Sequence, residues 1–297
     1  MSPRAAKVGA ARLDLAPDPR DKRQSDARPR ARFILLRGLG REAGHWGAFR
    51  DALAAAFPDD EILTPDLPGC GRHHDDPAPA DVRALLEAVR AETGFGLPQD
   101  AGAAPARAWL LGISLGGMVA LEWARRYPGE VAGVAVINTS LGAVSPAWRR
   151  LRPRALVALV AAASARNLVT RERRIFALTS SHPEKAPEIV PAWAELARQR
   201  PVHALNAARL LLAGARHQGP RTPLAPPVLA LVGAEDRLCH PTCSGRLAEA
   251  LRAELAVHPS AGHELPVDDP AWLVAHLVRW RSTVSESSQN RHTVTND

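Results

Sequence analysis

The chain has 297 residues, 46% of them apolar, and a formal charge of +7. That length suits one large α/β domain or a core with an inserted segment, and the apolar share is enough to fill a sizeable core. Three cysteines argue against a disulfide framework and for a reducing compartment; no apolar run reaches the roughly 18 residues of a membrane span, and no nucleic-acid-binding pattern stands behind the charge.

Residues 1–30 are rich in Arg, Asp, Pro and Ala, with only a hint of a strand from Ala11 to Leu15, so a disordered segment is expected there. The N-terminus has no secretory apolar core, which predicts a cytoplasmic protein. Strand-like runs follow at Arg32–Leu36, Ile62–Pro65, Ala108–Ile113, Val131–Asn138, Val228–Gly233 and Glu254–His258. Between them fall helical patterns at Trp46–Phe57, Val82–Glu92, Leu115–Tyr127, Pro241–Leu251 and Ala271–Arg281. Short apolar strands alternating with helices predict an α/β fold, a doubly wound and mostly parallel sheet covered on both faces. The rhythm breaks from Ser145 to Ala225, where four helical stretches follow one another without a strand. That is the form of a helical lid inserted into a core made of residues 31–144 and 226–281. The Ser/Thr/Asn/Gln-rich end, 282–297, is expected to be a disordered tail.

The most informative stretch runs from Trp109 to Ala120, an apolar strand, a glycine-flanked serine and a helix. Gly112-Ile113-Ser114-Leu115-Gly116 fits the G-x-S-x-G nucleophile elbow, where strand and helix pass too close for β-carbons two positions either side of the serine. A serine hydroxyl needs a base and an acid to orient that base. In a doubly wound sheet those groups sit just past strand ends. Asp236 follows the strand Val228–Gly233, and His263 follows Glu254–His258, giving the order Ser, Asp, His. Glu235 is a rival acid, and Asp236 also fits a plain helix cap. His73 and His74, in a polar loop, fit a structural or exposed role better. Oxyanion donors are expected from the Leu115 N–H, at a helix N-terminus, and the Leu39 N–H, in the loop Arg37-Gly38-Leu39-Gly40. Cys239 and Cys243 have Cys-x-x-x-Cys spacing, but no further ligands complete a zinc site. Neither metal nor cofactor is expected.

On these motifs the chain resembles the α/β-hydrolase superfamily of lidded bacterial serine esterases, over residues 32 to 281. Asp66-Leu67-Pro68-Gly69-Cys70-Gly71 matches the family's D-x-x-G-x-G loop, Gly233-x-x-Asp236 its acid loop, and Gly262-His263 its G-H motif. The stretch Gly112 to Asn138 is similar to the pimeloyl-carrier-protein methyl esterase branch. The family usually carries His-Gly where this chain has Arg37-Gly38, which puts a permanent cation beside the oxyanion loop. Arg37 either packs structurally or helps to hold an anionic substrate. A serine nucleophile argues against the dehalogenase and epoxide-hydrolase branches, which are built around aspartate.

The segment 145–225 holds thirteen arginines and one lysine against four glutamates, an excess of +10 that leaves the rest of the chain at −3. Such a lid would draw in an anionic ester or an acidic carrier protein, or it is simply a solvated surface. Its apolar runs Ala155–Ala163 and Ala204–Ala213 predict a greasy acyl pocket. The expected activity is carboxylic ester hydrolysis through an acyl-enzyme. Acyl transfer or C–C cleavage by the same triad, or a silent binding protein on this fold, are the alternatives.

Overall fold

The computed structural model describes residues 31–96 and 107–293; the segment expected to be disordered at 1–30 lies outside them. In chain order the elements are β1 (Arg32–Leu36), α1 (Ala48–Ala56), β2 (Glu61–Leu63), α2 (Val82–Glu92), β3 (Ala108–Ile113), α3 (Leu115–Arg126) and β4 (Val131–Ile137). Next come α4 (Ala147–Arg150), α5 (Pro153–Ala163), α6 (Leu168–Thr179), α7 (Ala186–Gln199) and α8 (Ala204–Arg216). The chain then returns to the sheet with β5 (Val228–Gly233), α9 (Thr242–Leu251), β6 (Glu254–His258), α10 (Leu265–Asp268) and α11 (Pro270–Thr293).

All six strands are parallel, in the order β2-β1-β3-β4-β5-β6. Successive side chains of a strand point to opposite faces, and here both faces are covered. Ile34, Leu36 and Leu110 pack with α2, α3 and α9. Phe33, Leu35, Trp109 and Leu111 pack with α1 and α11. This burial explains why the inner strands β3 and β5 are continuous apolar runs and not alternating ones, while the edge strand β6 is open on one face. β1 pairs with β2 on one side and β3 on the other, so the winding reverses between β1 and β3 and their outgoing loops part. A crevice opens at such a switch point, beyond the C-terminal strand ends. The β1 loop carries Leu39 and the β3 loop carries Ser114.

β4, α3 and α9 each differ from the sequence expectation by one residue, ending at Ile137, ending at Arg126 and starting at Thr242, and three elements differ by more. The helix predicted at Trp46–Phe57 splits into a 3-10 turn, Ala43–Trp46, and α1, because Gly47 adopts φ 49°, ψ −140° between them. β2 spans Glu61–Leu63 and not Ile62–Pro65, since pairing with β1 ends at Leu63. α11 runs on to Thr293, through most of the tail expected to be disordered. No Pro or Gly interrupts it after Pro270. Ser282, Thr283 and Ser287 donate their hydroxyls to carbonyls four residues back, which satisfies these polar side chains within the helix.

Between β4 and β5 the described residues form helices and no strand. α6 and α7 pack on each other through Phe176, Val190 and Trp193. Among the described residues, no helix is long and apolar enough to cross a membrane.

Candidate active site

Ser114 stands between β3 and α3 with φ 54°, ψ −115°, a conformation rare for a residue with a β-carbon. The elbow is held from three sides. Ser114 N donates to Ile137 O at the end of β4, 2.9 Å away, and Met118 N donates to Ser114 O at 3.1 Å. A β-carbon at Gly112 would overlap the Gly116 carbonyl, and one at Gly116 would overlap Leu36 O. The two glycines thus let α3 lie against β3 and β1, as the spacing predicted. Gly38 runs directly over the serine, since a β-carbon there would sit 3.4 Å from Ser114 Cβ. That close approach brings the Leu39 loop to the elbow.

His263 and Asp236 meet behind the serine. His263 Nδ1 and Asp236 Oδ2 are 2.7 Å apart, and both side chains are buried. The other oxygen, Asp236 Oδ1, accepts from Leu238 N at 2.8 Å and Cys239 N at 2.9 Å, so the carboxylate is fixed in one orientation. Glu235, the rival acid, is exposed. Burial pushes the His263 pKa down. The Asp236 charge and hydrogen bond outweigh it and hold the pKa above the ordinary histidine value.

Sequence reasoning missed the groups that hold His263. Asn138, at φ 48° just past β4, donates Nδ2 to Gly262 O at 3.0 Å and His263 O at 2.9 Å. Its Oδ1 accepts from Gly233 N at 3.0 Å, so one side chain ties the ends of β4 and β5 to the histidine loop. Asp268 Oδ2 accepts from Gly262 N at 2.7 Å on the other side. The one local signal was an asparagine closing an apolar strand, a residue type that tolerates the left-handed region.

Arg37 packs structurally. It is 2% exposed, and its Nη2 donates to both oxygens of Glu264 at 2.8 and 2.7 Å. The guanidinium also lies over the Trp46 ring, 4.8 Å from its centroid. Glu264 follows His263 directly, so this buried pair joins the Leu39 loop to the histidine loop. Asp66, first residue of the D-x-x-G-x-G motif, accepts from Ala43 N at 2.7 Å and Arg72 N at 2.9 Å. It braces the chain that follows the Leu39 loop. His73 and His74 sit beside it with local polar partners. Cys239 and Cys243 are buried free thiols.

Ser114, His263, Leu39 and Leu115 line one cavity of about 470 Å³, with Asp236 behind His263. The helices between β4 and β5 supply most of the opposite wall, including Leu156, Leu159, Leu210 and Leu211 from α5 and α8. These come from the apolar runs expected to form a greasy pocket. Trp148, 66% exposed, stands at its edge.

The chain and its fold have known relatives. The model of the alpha/beta hydrolase family matches residues 33–276. The chain is 31% identical over 240 residues to a pimeloyl-[acyl-carrier protein] methyl ester esterase of Chromobacterium violaceum, covering 77% of this chain and 86% of that one. With the enzyme of the same name from Nitrosospira multiformis it shares 25% over 258 residues, covering 84% and 93%. A thermophilic esterase from Thermogutta terrifontis superposes with a TM-score of 0.66 at 23% identity, over 86% of this chain and 90% of that one. With the family match spanning nearly all of the sheet and the helices around it, the chain belongs to the alpha/beta hydrolase family.

Proposed function

We propose that the protein is a carboxylic ester hydrolase that works through an acyl-enzyme on Ser114. The observation that carries this reading is the meeting of Ser114 and His263 on one apolar cavity, with Asp236 hydrogen-bonded to the far side of the imidazole at 2.7 Å. Neutral His263 takes the Ser114 proton at Nε2 as Oγ attacks the ester carbonyl. The Leu115 and Leu39 N–H groups receive the oxyanion. Collapse expels the alcohol, which takes the proton from Nε2. Water then attacks the acyl-serine, giving a proton to Nε2, and the acid leaves as that proton returns to Oγ. Asp236 fixes the tautomer and stabilises the imidazolium. The helices from 145 to 225 act as the lid, and their leucines receive the acyl chain. The Chromobacterium violaceum and Nitrosospira multiformis relatives are methyl ester esterases, which supports a small alcohol and a larger acyl part for this chain too.

A fluorophosphonate probe tests the reading, because it reacts only with an activated serine. Mass spectrometry is expected to find the adduct on Ser114 in the wild type and no adduct in Ser114→Ala. Labelling that survives in the variant would place the nucleophile elsewhere.

A carrier-borne substrate is a second reading, favoured by the +10 excess of segment 145–225 and by the relatives' carrier-bound esters. In that case kcat/KM for an ester on an acidic carrier falls steeply with added salt, since exposed charges are screened beyond about 8 Å at physiological ionic strength. A neutral p-nitrophenyl ester is expected to show almost no salt dependence. Equal salt effects on both would reduce the charge to a solvated surface.

A further inference from the structure

Cys239 and Cys243 come together at the wall of the Ser114 cavity and have no part in the mechanism above. Cys239, in the loop after β5, lines that cavity together with Ser114 and His263 and is 4% exposed. Cys243 lies in the first turn of α9, wholly buried, and its N–H donates to His240 O at 2.8 Å. The two thiols share a hydrogen bond. Among the described residues, no third His, Cys, Asp or Glu joins them in a group that could hold a metal ion. The pair is therefore two free thiols in contact, one facing the cavity and the other backing it.

The surroundings favour one thiolate in the pair. The hydrogen bond with Cys239 lowers the Cys243 pKa to about 7, against burial and with help from the Arg150 and Arg149 charges. The same hydrogen bond, then burial and the Asp236 charge, push the Cys239 pKa up. Two coupled thiols of this kind release one proton near neutral pH and keep the other between them. Cys70 is the contrast, off the cavity wall and with its pKa pushed up to about 12 by burial. The pair also reaches the catalytic residues through the backbone. Asp236 Oδ1 accepts from Cys239 N at 2.9 Å, so a bond that draws Cys239 towards α9 acts on the carboxylate that orients His263.

We infer that Cys239 and Cys243 form a modification site for small hydroperoxides, whose oxidation to a disulfide slows turnover and whose reduction restores it. The effect on turnover rests on the hydrolase reading above; the thiol chemistry does not. A hydroperoxide that enters the cavity meets Cys239. As the Cys239 sulfur attacks the peroxide oxygen, the proton of the pair resides on Cys243. The O–O bond breaks, Cys239 becomes a sulfenic acid, and the leaving alkoxide takes the proton from Cys243. The Cys243 thiolate then attacks the Cys239 sulfur and displaces hydroxide, which closes the S–S bond. Two electrons pass from the sulfurs to the peroxide, which ends as an alcohol and hydroxide.

The experiment treats the reduced full chain with tert-butyl hydroperoxide, follows the thiols by peptide mapping and follows turnover with p-nitrophenyl acetate. Cys239 is expected to be linked to Cys243, with two hydrogens lost from the intact mass and Cys70 still free. kcat is expected to fall about tenfold, the effect of losing one charge-assisted hydrogen bond to Asp236, and dithiothreitol is expected to restore it. Met118 lines the same cavity and would gain an oxygen that dithiothreitol does not remove, so inactivation of that kind overturns the site. In Cys243→Ala the untreated kcat is expected to stay within about twofold of wild type, since the Cys239 N–H remains on Asp236. Oxidation of that variant is expected to stop at the Cys239 sulfenic acid, which dimedone labels. Free thiols at both positions in treated wild type overturn the site, and a mapped disulfide with unchanged kcat overturns its effect on turnover. If the untreated protein hydrolyses no ester, the hydrolase reading fails, and the peptide map still decides whether the dithiol is oxidised.

Discussion

Ser114→Ala is expected to lower kcat for p-nitrophenyl butyrate by roughly a thousandfold or more without unfolding the protein, because alanine fits the elbow as serine does. Asp236→Asn is expected to cost roughly a thousand- to ten-thousand-fold, through the wrong imidazole tautomer and the lost charge. Groups that act as a unit are strongly non-additive, so the double variant is expected to be no slower than Ser114→Ala alone. Glu235→Gln, on an exposed neighbour, is expected to change little. The reverse ranking of Glu235 and Asp236 would transfer the orienting role to Glu235. The pH profile gives a second readout. In the proposed mechanism His263 must be neutral to accept a proton, and its pKa is held above the ordinary value of about 6.5. Wild-type kcat/KM therefore rises with pH through a pKa above that value. In Asp236→Asn the residual activity is expected to titrate at lower pH, since burial then acts on the imidazolium without its counter-charge. An unchanged profile would mean that another group sets it.

Breaking the Arg37–Glu264 pair has the largest expected effect on stability. Both side chains are almost wholly buried, at 2% and 4% exposure. Replacing one partner strands the other charge in the interior, which costs about 3–5 kcal/mol. Glu264→Gln is thus expected to lower Tm by on the order of 10 °C, measured by calorimetry. Replacing both partners with apolar residues, Arg37→Met with Glu264→Leu, is expected to recover most of the loss, because no lone charge remains. A Glu264→Gln variant within about 1 kcal/mol of wild type would show that water or a neighbour compensates the free guanidinium. The pH dependence has a definite sign. Burial pushes the Glu264 pKa up, but the Arg37 and Arg41 charges outweigh it and hold the carboxyl below its ordinary range. The folded pKa is below the unfolded one, so this stability is fully present above about pH 4.3 and lost as pH falls through the folded value. The gap between wild type and Glu264→Gln is expected to close in that acidic window.

The parallel sheet and its order of elements were legible in the chain because burial on both faces leaves a local trace. The central strands β3 and β5 are unbroken buried apolar runs, whereas the edge strand β6 is exposed at Glu254, Leu255 and Val257, and the runs at Arg32–Leu36, Ala108–Ile113, Val228–Gly233 and Glu254–His258 match the strands residue for residue. The elbow was legible for a related reason. Its geometry depends on contacts that Gly112 and Gly116 make within a few residues of Ser114 and with the adjacent strand. Helix ends were less legible, because a single backbone choice such as that at Gly47 decides them.

Tertiary structure decided what depends on residues far apart in sequence. Spacing left Glu235 and Asp236 as rivals, and only the packing of β5 beside β6 turned Asp236 inward to His263. The meaning of Arg37 was open until Glu264, 227 positions away, was seen to meet it in the interior. Asn138 looked like the last residue of a strand, yet it clasps the loops after β5 and β6. The charge excess of segment 145–225 was a number from composition. Which of its arginines meet a buried carboxylate, as Arg171 meets Glu172 and Arg200 meets Glu42, was set by the packing of α6 and α7 against the loop after β1. Local sequence determines backbone shape and burial pattern, because those forces act over a few residues. The partners of a buried charge are determined by the whole fold, because desolvation must be matched by whatever group the chain brings to that point in space.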